Sequence, residues 1–302
     1  MSRHVAVLMG GWSAEREVSL VTGRAVARAL SERGYRASEI DVDRGLPARL
    51  AELAPDVVFN ALHGRFGEDG TVQGLLEIMG IPYTHSGVLA SSLAMNKAMA
   101  KRVFESAGLR CPEGHLTTID ALQNGSAPMP PPYVVKPNCE GSSVGVRIVR
   151  DADARPIDRN DWPFGPEVLV ERYIAGRELT VTVLGDRPLA VTEIRPRQSF
   201  YDYHAKYTED QAEHLIPAPL DEALYEQALT HALRAHRALG CRGVSRADFR
   251  LDESDPDGLY LLEVNTQPGM TPLSLVPEQA AHVGITFADL VVRLVEDARC
   301  DT

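Results

Sequence analysis

The chain has 302 residues, long enough for more than one core, so two or three domains are expected. Hydrophobic residues make up 44% and charged residues 24%, an ordinary globular balance, and a net charge of −11 argues against nucleic acid or an anionic membrane as the main partner while leaving room for a local basic pocket. The N-terminal apolar run is too short for a signal peptide, nothing approaches a membrane span, and Cys111, Cys139, Cys241 and Cys300 lack C-x-x-C spacing, so a reduced, cytoplasmic protein without a zinc site is expected.

His4-Val5-Ala6-Val7-Leu8-Met9 reads as a short buried strand, followed by the turn Gly10-Gly11-Trp12-Ser13-Ala14-Glu15-Arg16-Glu17. Residues 18–30 carry apolar side chains at helical spacing and run out at Arg33-Gly34, a cation followed by a C′ glycine. This is the start of a βαβ unit, but the G-x-G-x-x-G spacing of a dinucleotide fold is absent. Glu15 lies at or near the helix start, where a carboxylate either complements the helix dipole or faces a cleft and holds a substrate ammonium. Residues 35–42 then read as a strand, 48–54 as a short helix and 56–61 as another strand. That strand ends in Leu62-His63-Gly64-Arg65-Phe66-Gly67-Glu68-Asp69-Gly70, at the position where open α/β sheets place ligands. His63 and Glu68 are either ligand contacts there or hydrogen-bond partners within the loop. Residues 71–79 read as a helix and 81–84 as a last short strand.

From residue 86 the pattern changes. Residues 89–107 read as one long helix containing Asn96-Lys97, and 123–132, with four prolines, as a surface loop. Tyr133-Val134-Val135-Lys136-Pro137 is a strand carrying a lysine. The loop after it, Asn138-Cys139-Glu140-Gly141-Ser142-Ser143-Val144-Gly145-Val146, can offer backbone N–H groups to phosphate oxygens or be a plain hairpin turn; it is no Walker motif, since no G-K-[ST] follows. Prolines make residues 151–166 a poor helix, 168–174 and 178–184 read as strands, and the polar, aromatic stretch 198–214 as a functional lid. Residues 223–239 form an amphipathic helix.

The most informative stretch comes late. Residues 245–251 alternate so that Arg246 and Asp248 share a face, and Leu261-Leu262-Glu263-Val264-Asn265 places Glu263 and Asn265 on one face. The intervening Asp252-Glu253-Ser254-Asp255-Pro256-Asp257-Gly258 is a turn composition, so an antiparallel hairpin is expected. Pairing would bring Asp248, Glu263 and Asn265 to one point beside Arg246, either an oxygen-rich set suited to a hard cation such as Mg²⁺ or a solvated sheet face. A closing helix spans 287–295.

Taken together, the chain resembles the ATP-grasp ligases, and within them the D-alanine–D-alanine ligases. The resemblance covers essentially the whole chain and rests on five motifs in order: Gly10-Gly11 with Ser13 to Ser19; His63-Gly64 with Gly67-Glu68-Asp69-Gly70; Lys136-Pro137 with Glu140 to Gly145; Tyr201-Asp202-Tyr203 with Lys206-Tyr207; and Glu263-Val264-Asn265-Thr266 with Pro268-Gly269-Met270-Thr271. It implies an α/β protein of three domains: an open parallel α/β substrate-binding domain at 1–85, a central ATP-grasp subdomain at 86–170, and a C-terminal one with the metal site and lid at 171–302. ATP would lie between two antiparallel sheets. The resemblance makes Lys97, Lys136 and Lys206 phosphate ligands, Glu171-Arg172-Tyr173-Ile174 the adenine hinge and Glu178 the ribose contact. Asp248, Glu263 and Asn265 would hold two Mg²⁺ or Mn²⁺ ions. Glu15, linked to Ser142 and Tyr207, would hold the ammonium of the first D-alanine, with His63 and Glu68 on the substrate side. Arg246 and the Gly269 N–H would stabilise developing negative charge, and Ser274 and Leu275 would bind the carboxylate of the second D-alanine. The implied enzyme is a cytoplasmic homodimer making D-alanyl-D-alanine for peptidoglycan through a D-alanyl phosphate. A D-alanine–D-lactate ligase or another ATP-grasp carboxylate–amine ligase is the alternative; Lys206-Tyr207 favours alanine. A non-catalytic nucleotide-binding module should lack metal ligands, and here they are intact. Two features depart from the family pattern: Arg172 stands where relatives often have lysine, and the proline-broken stretch 151–166 lies where a helix is expected.

Overall fold

A computed structural model of the chain describes residues 2–141, 144–151, 157, 159, 162–196, 212–272 and 274–301. The N-terminal unit runs β1 (His4–Met9), α1 (Arg16–Glu32), β2 (Arg36–Asp41), α2 (Leu46–Leu53), β3 (Val57–Asn60) and α3 (Thr71–Met79). Its strands pair in parallel in the order β2-β1-β3. β1 is buried throughout because helices cover both faces of the sheet, as parallel sheets require. Val5 and Val7 point into a core shared with Val26 and Leu30 of α1, whereas Ala6 and Leu8 point into a second core with Leu50 of α2 and Leu76 of α3. The strand expected at 81–84 is reduced to bridges made by Tyr83 with Val58 and Arg299.

The single helix expected at 89–107 is two, α4 (Val88–Met95) and α5 (Lys97–Ser106). Asn96 between them is extended, with φ −85° and ψ 94°, and its side chain accepts a hydrogen bond from Met99 N at 3.1 Å. Asparagine is among the better N-caps, so the chain stops and restarts there. Next come β4 (Gly114–Thr118), α6 (Ile119–Gln123), β5 (Tyr133–Pro137), β6 (Arg147–Val149) and β7 (Glu167–Arg172), which form an antiparallel sheet in the order β4-β7-β5-β6. Within the proline-broken stretch, Ile157 and Trp162 pack into this sheet's core with Ile119 and Val135.

β8 (Arg177–Leu184), β9 (Arg187–Pro196), β10 (Ala212–Leu215), α7 (Glu222–Ala238), β11 (Val244–Leu251) and β12 (Leu259–Asn265) follow. Their sheet runs β10-β9-β8-β11-β12, antiparallel throughout. The end of the expected lid, residues 212–214, belongs to the edge strand β10; the rest of it lies outside the described residues. The chain closes with α8 (Leu275–His282) and α9 (Phe287–Glu296); Leu290, Val291 and Leu294 of α9 complete the core beneath β1 and α1. None of the described helices is long and apolar enough to cross a membrane.

Two interior histidines give this fold an acid-sensitive stability. His85 is fully enclosed, and its Nε2 has no partner among the described residues. Burial, with His63 and Arg242 adding to it, drives its imidazole down to about 3. Burial likewise takes His236, hydrogen-bonded to Ser245 Oγ at 2.7 Å, down to about 4. The unfolded chain protonates both near pH 6.5 and the folded chain does not, so stability is intact above that pH and is lost as the pH falls toward 4. The expected loss at pH 5 is about 2 kcal/mol per histidine. Urea unfolding at pH 7.5 and 5.0 should show it, and His236→Gln should flatten the slope; a slope that is unchanged in that variant would contradict the assignment.

Candidate active site

The hairpin forms as its alternation predicts: Arg246 lies opposite Asn265 and Asp248 opposite Glu263. The register then slips, since Phe249 faces Leu261, which makes Leu262 the extra residue of a bulge. The bulge turns both Leu262 and Glu263 toward one cleft, a use of bulges common beside active sites. Arg246 grips Asp248 in a forked pair, Nε to Oδ1 at 2.8 Å and Nη2 to Oδ2 at 2.7 Å, while Thr180 of β8 donates to Oδ1 at 2.7 Å. Lys97, the first residue of α5, sits 3.3 Å from Glu263 Oε2 and donates to the Glu140 carbonyl at 2.6 Å. Among the described residues no three His, Cys, Asp or Glu side chains cluster as a metal site; beside the two carboxylates, Asn265 offers an amide oxygen. Two carboxylates and an amide oxygen side by side fit a hard cation of the Mg²⁺ or Mn²⁺ type.

A cleft of about 990 Å³ opens between the sheet carrying β5, β6 and β7 and the hairpin. Val134, Val146, Ile148, Ile174 and Leu262 make its apolar walls, and Lys97, Lys136, Glu171, Arg172, Tyr173 and Glu178 supply its polar groups. Apolar walls together with cationic side chains suit a flat base joined to phosphates. Arg172 Nη2 donates to Tyr260 Oη at 2.5 Å, so the end of β7 is tied to β12 by a side chain that lysine could not replace in kind. The Glu171 side chain is enclosed between Lys136 and Lys101. Burial pushes its carboxyl up, but the two ammoniums outweigh that and hold it below the usual range.

Glu15 immediately precedes α1, its side chain making no capping hydrogen bond, and is buried. Two close backbone approaches fix its surroundings. Gly64 has φ +70°, and a Cβ there would come within 2.8 Å of Glu15 Oε2. A Cβ on Gly141, in the loop after β5, would stand 3.4 Å from Glu15 Oε2 and 3.7 Å from Glu68 Oε2, so that loop reaches across to the N-terminal unit. Asn138 anchors the loop's other end, with Oδ1 accepting from Ala98 N at 3.0 Å and its carbonyl accepting from Lys97 N at 3.0 Å. His63 Nδ1 is 3.3 Å from Glu68 Oε1 and its Nε2 is 3.2 Å from Thr22 Oγ1. His63 and Glu68 are thus partners within the loop, and both also line a second cleft on the N-terminal side.

Gln267, just past β12, locks the hairpin to the end of β3: its Nε2 donates to the carbonyls of Asn60 at 2.9 Å and Leu62 at 2.7 Å. Ser274 immediately precedes α8, and its Oγ, instead of capping the helix, accepts from Thr271 N at 3.0 Å. The N-terminus of α8, with Ser274, Leu275 and Gly269, therefore faces the same space as Glu15, His63, Glu68, Arg246, Asp248, Glu263 and Asn265, a cleft of about 950 Å³. A helix start offers free N–H groups and a positive dipole end to a carboxylate. The two clefts share Lys97, Glu140, Gly141, Glu178 and Glu263, and every described residue of the expected set lines one or the other. Ser142, Lys206 and Tyr207 lie outside the described residues. Sequence reasoning missed Lys101, Leu262 and Gln267. The signal for Lys101 was present: Lys97, Ala100, Lys101 and Phe104 form the buried stripe of α5, and two lysines in such a stripe need acidic or phosphate partners.

A cleft between two antiparallel sheets, meeting a second cleft at an acidic hairpin beside a parallel α/β unit, is the architecture of an ATP-grasp ligase. Residues 103–296 match the family described as D-ala D-ala ligase C-terminus, and residues 48–86 the one described as D-ala D-ala ligase N-terminus. The chain is 56% identical to a D-alanine–D-alanine ligase of Parvibaculum lavamentivorans over 99% of both chains, and 57% identical to one of Paramagnetospirillum magneticum over 100% of both. The crystal structure of the Bacillus anthracis D-alanine–D-alanine ligase complexed with ATP superimposes with a TM-score of 0.80 at 33% identity, covering 98% of this chain and 97% of that one. The chain belongs to the D-alanine–D-alanine ligase family.

Proposed function

We propose that the chain joins two molecules of D-alanine at the expense of ATP, giving the D-alanyl-D-alanine of peptidoglycan precursors, ADP and phosphate. The observation that carries this reading is a pair of clefts with five lining residues in common, one lined by the buried Glu15 carboxylate, the other by Lys136, and both by Lys97 and Glu263.

Joining a carboxylate to an amine in water is uphill, so the carboxylate is activated first. Glu15 holds the ammonium of the first D-alanine, His63 and Glu68 close the wall beside it, and Ser142 and Tyr207 complete that contact by resemblance. Lys97, Lys136 and Lys206 bind the phosphates, Glu171 to Ile174 the adenine and Glu178 the ribose. Mg²⁺ (or Mn²⁺) held by Asp248, Glu263 and Asn265 would neutralise charge on the transferring phosphoryl group. The carboxylate oxygen attacks the γ-phosphorus, ADP leaves, and D-alanyl phosphate results. Ser274, Leu275 and the start of α8 hold the carboxylate of the second D-alanine, so that its amine meets the acyl carbon at close range. Such orientation is worth about 7–11 kcal/mol when fully realised. Arg246 and the Gly269 N–H are donors to the oxyanion before phosphate departs. We further propose three domains at 1–85, 86–170 and 171–302, a homodimer, and a cytoplasmic location.

ADP release with D-alanine, L-alanine and D-lactate, offered singly and in pairs, tests this. D-alanine alone should support turnover, L-alanine alone should not, and D-lactate should add no depsipeptide. ADP release that requires D-lactate, or none with D-alanine, would overturn the proposal.

A further inference from the structure

Three buried charges form a chain beneath the nucleotide cleft. Lys101 Nζ, from α5, is 2.6 Å from Glu171 Oε1 of β7, and Glu171 Oε2 is 2.5 Å from Lys136 Nζ of β5. Lys101 is 5% exposed, Glu171 3% and Lys136 7%. Lys101 also donates to the Pro112 carbonyl, and a Cβ on Gly114 would come within 2.7 Å of its Nζ, so the ammonium fills its niche. Glu171 and Lys136 line the cleft; Lys101 does not.

A buried ion pair that served packing alone would balance its charges, because uncompensated charge is costly away from water. Two ammoniums on one carboxylate leave one positive charge over, and it stands on the cleft wall at Lys136. An anion in the cleft is the natural counterion. Without Lys101, Glu171 and Lys136 would cancel each other, and the carboxylate would lose the contact that holds Oε1.

We propose that Lys101 is a positioning residue for the nucleotide: by engaging one oxygen of Glu171, it fixes that carboxylate and leaves the Lys136 charge available to the ligand's phosphates. This rests on the proposed use of ATP, and Lys101 itself touches no substrate.

Equilibrium binding of a non-hydrolysable ATP analogue with Mg²⁺, and separate KM values for ATP and D-alanine, test it in the full-length enzyme. Lys101→Met should weaken the analogue and raise the ATP KM at least about tenfold while the D-alanine KM stays within about twofold, and Lys101→Arg should recover most of the affinity. A purely structural lysine would lower the melting temperature and leave the Kd of the folded protein unchanged, which would overturn the proposal. If Lys101→Met does not fold, the comparison moves to Glu171→Gln with and without Lys101→Met, where no carboxylate is left unpaired. Kd values within about threefold of each other support action through Glu171, and a further tenfold loss overturns it. Wild-type protein that fails to bind the analogue would instead overturn the nucleotide reading itself.

Discussion

Glu263→Gln should leave the fold intact and reduce kcat about a thousandfold. Glu263 stands at a bulge on the cleft face, its side chain 29% exposed, so a neutral amide of the same shape costs the fold little. Its charge serves the site: it faces Asp248 across the hairpin and balances Lys97 at 3.3 Å. In the proposed role Glu263 shares cations with Asp248 and Asn265, so its replacement by an amide would lose charge neutralisation worth several kcal/mol, and each 1.36 kcal/mol is about a tenfold change in rate. A melting curve close to wild type beside a collapsed kcat is the expected result. Near-normal turnover with the ordinary Mg²⁺ dependence would remove Glu263 from the metal site.

Glu15→Gln should raise the D-alanine KM about a hundredfold and leave the ATP KM within about twofold, since removing one partner of a buried ion pair costs about 3 kcal/mol or more. Glu15 is buried just before α1, hemmed in by the backbone of Gly64 and Gly141, and it lines the cleft shared with Ser274 and Leu275, not the one between the sheets proposed for the nucleotide. If it served only the helix dipole, the variant would lose about 0.3–1 kcal/mol of stability and keep normal kinetics. The two KM values set beside a melting curve separate these cases.

The hairpin shows why much of this site was legible in the sequence. Side chains in a strand alternate with period two, so Arg246 and Asp248 could be placed on one face of their strand, and Glu263 and Asn265 on one face of theirs, before any fold was known, and the turn composition between them marked the hairpin. The parallel N-terminal unit was legible for the same local reason: α3 is found at the expected residues and β1 as well. What escaped depends on partners distant in sequence. Asn96 looks like an ordinary helix residue until Asn138 is brought beside it, and the break it makes sets Lys97 at a helix start facing Glu263. Lys101 acquires its role only when β7 carries Glu171 past α5, and Gln267 only when β3 ends beneath it. The exposed strand β4 carries no apolar alternation to read, and the Leu262 bulge is a mismatch between two strands that neither strand shows alone.

The route of one oxygen atom tests the central claim most directly. D-alanine carrying ¹⁸O in both carboxylate oxygens should be turned over with unlabelled ATP, and the phosphate analysed by mass. If the carboxylate attacks the γ-phosphorus and the acyl phosphate is then opened by the second amine, each phosphate released carries one ¹⁸O. Its partner remains in the peptide carbonyl. Unlabelled phosphate beside fully labelled dipeptide would mean that the carboxylate is never phosphorylated, and the chemistry assigned to this cleft would be wrong.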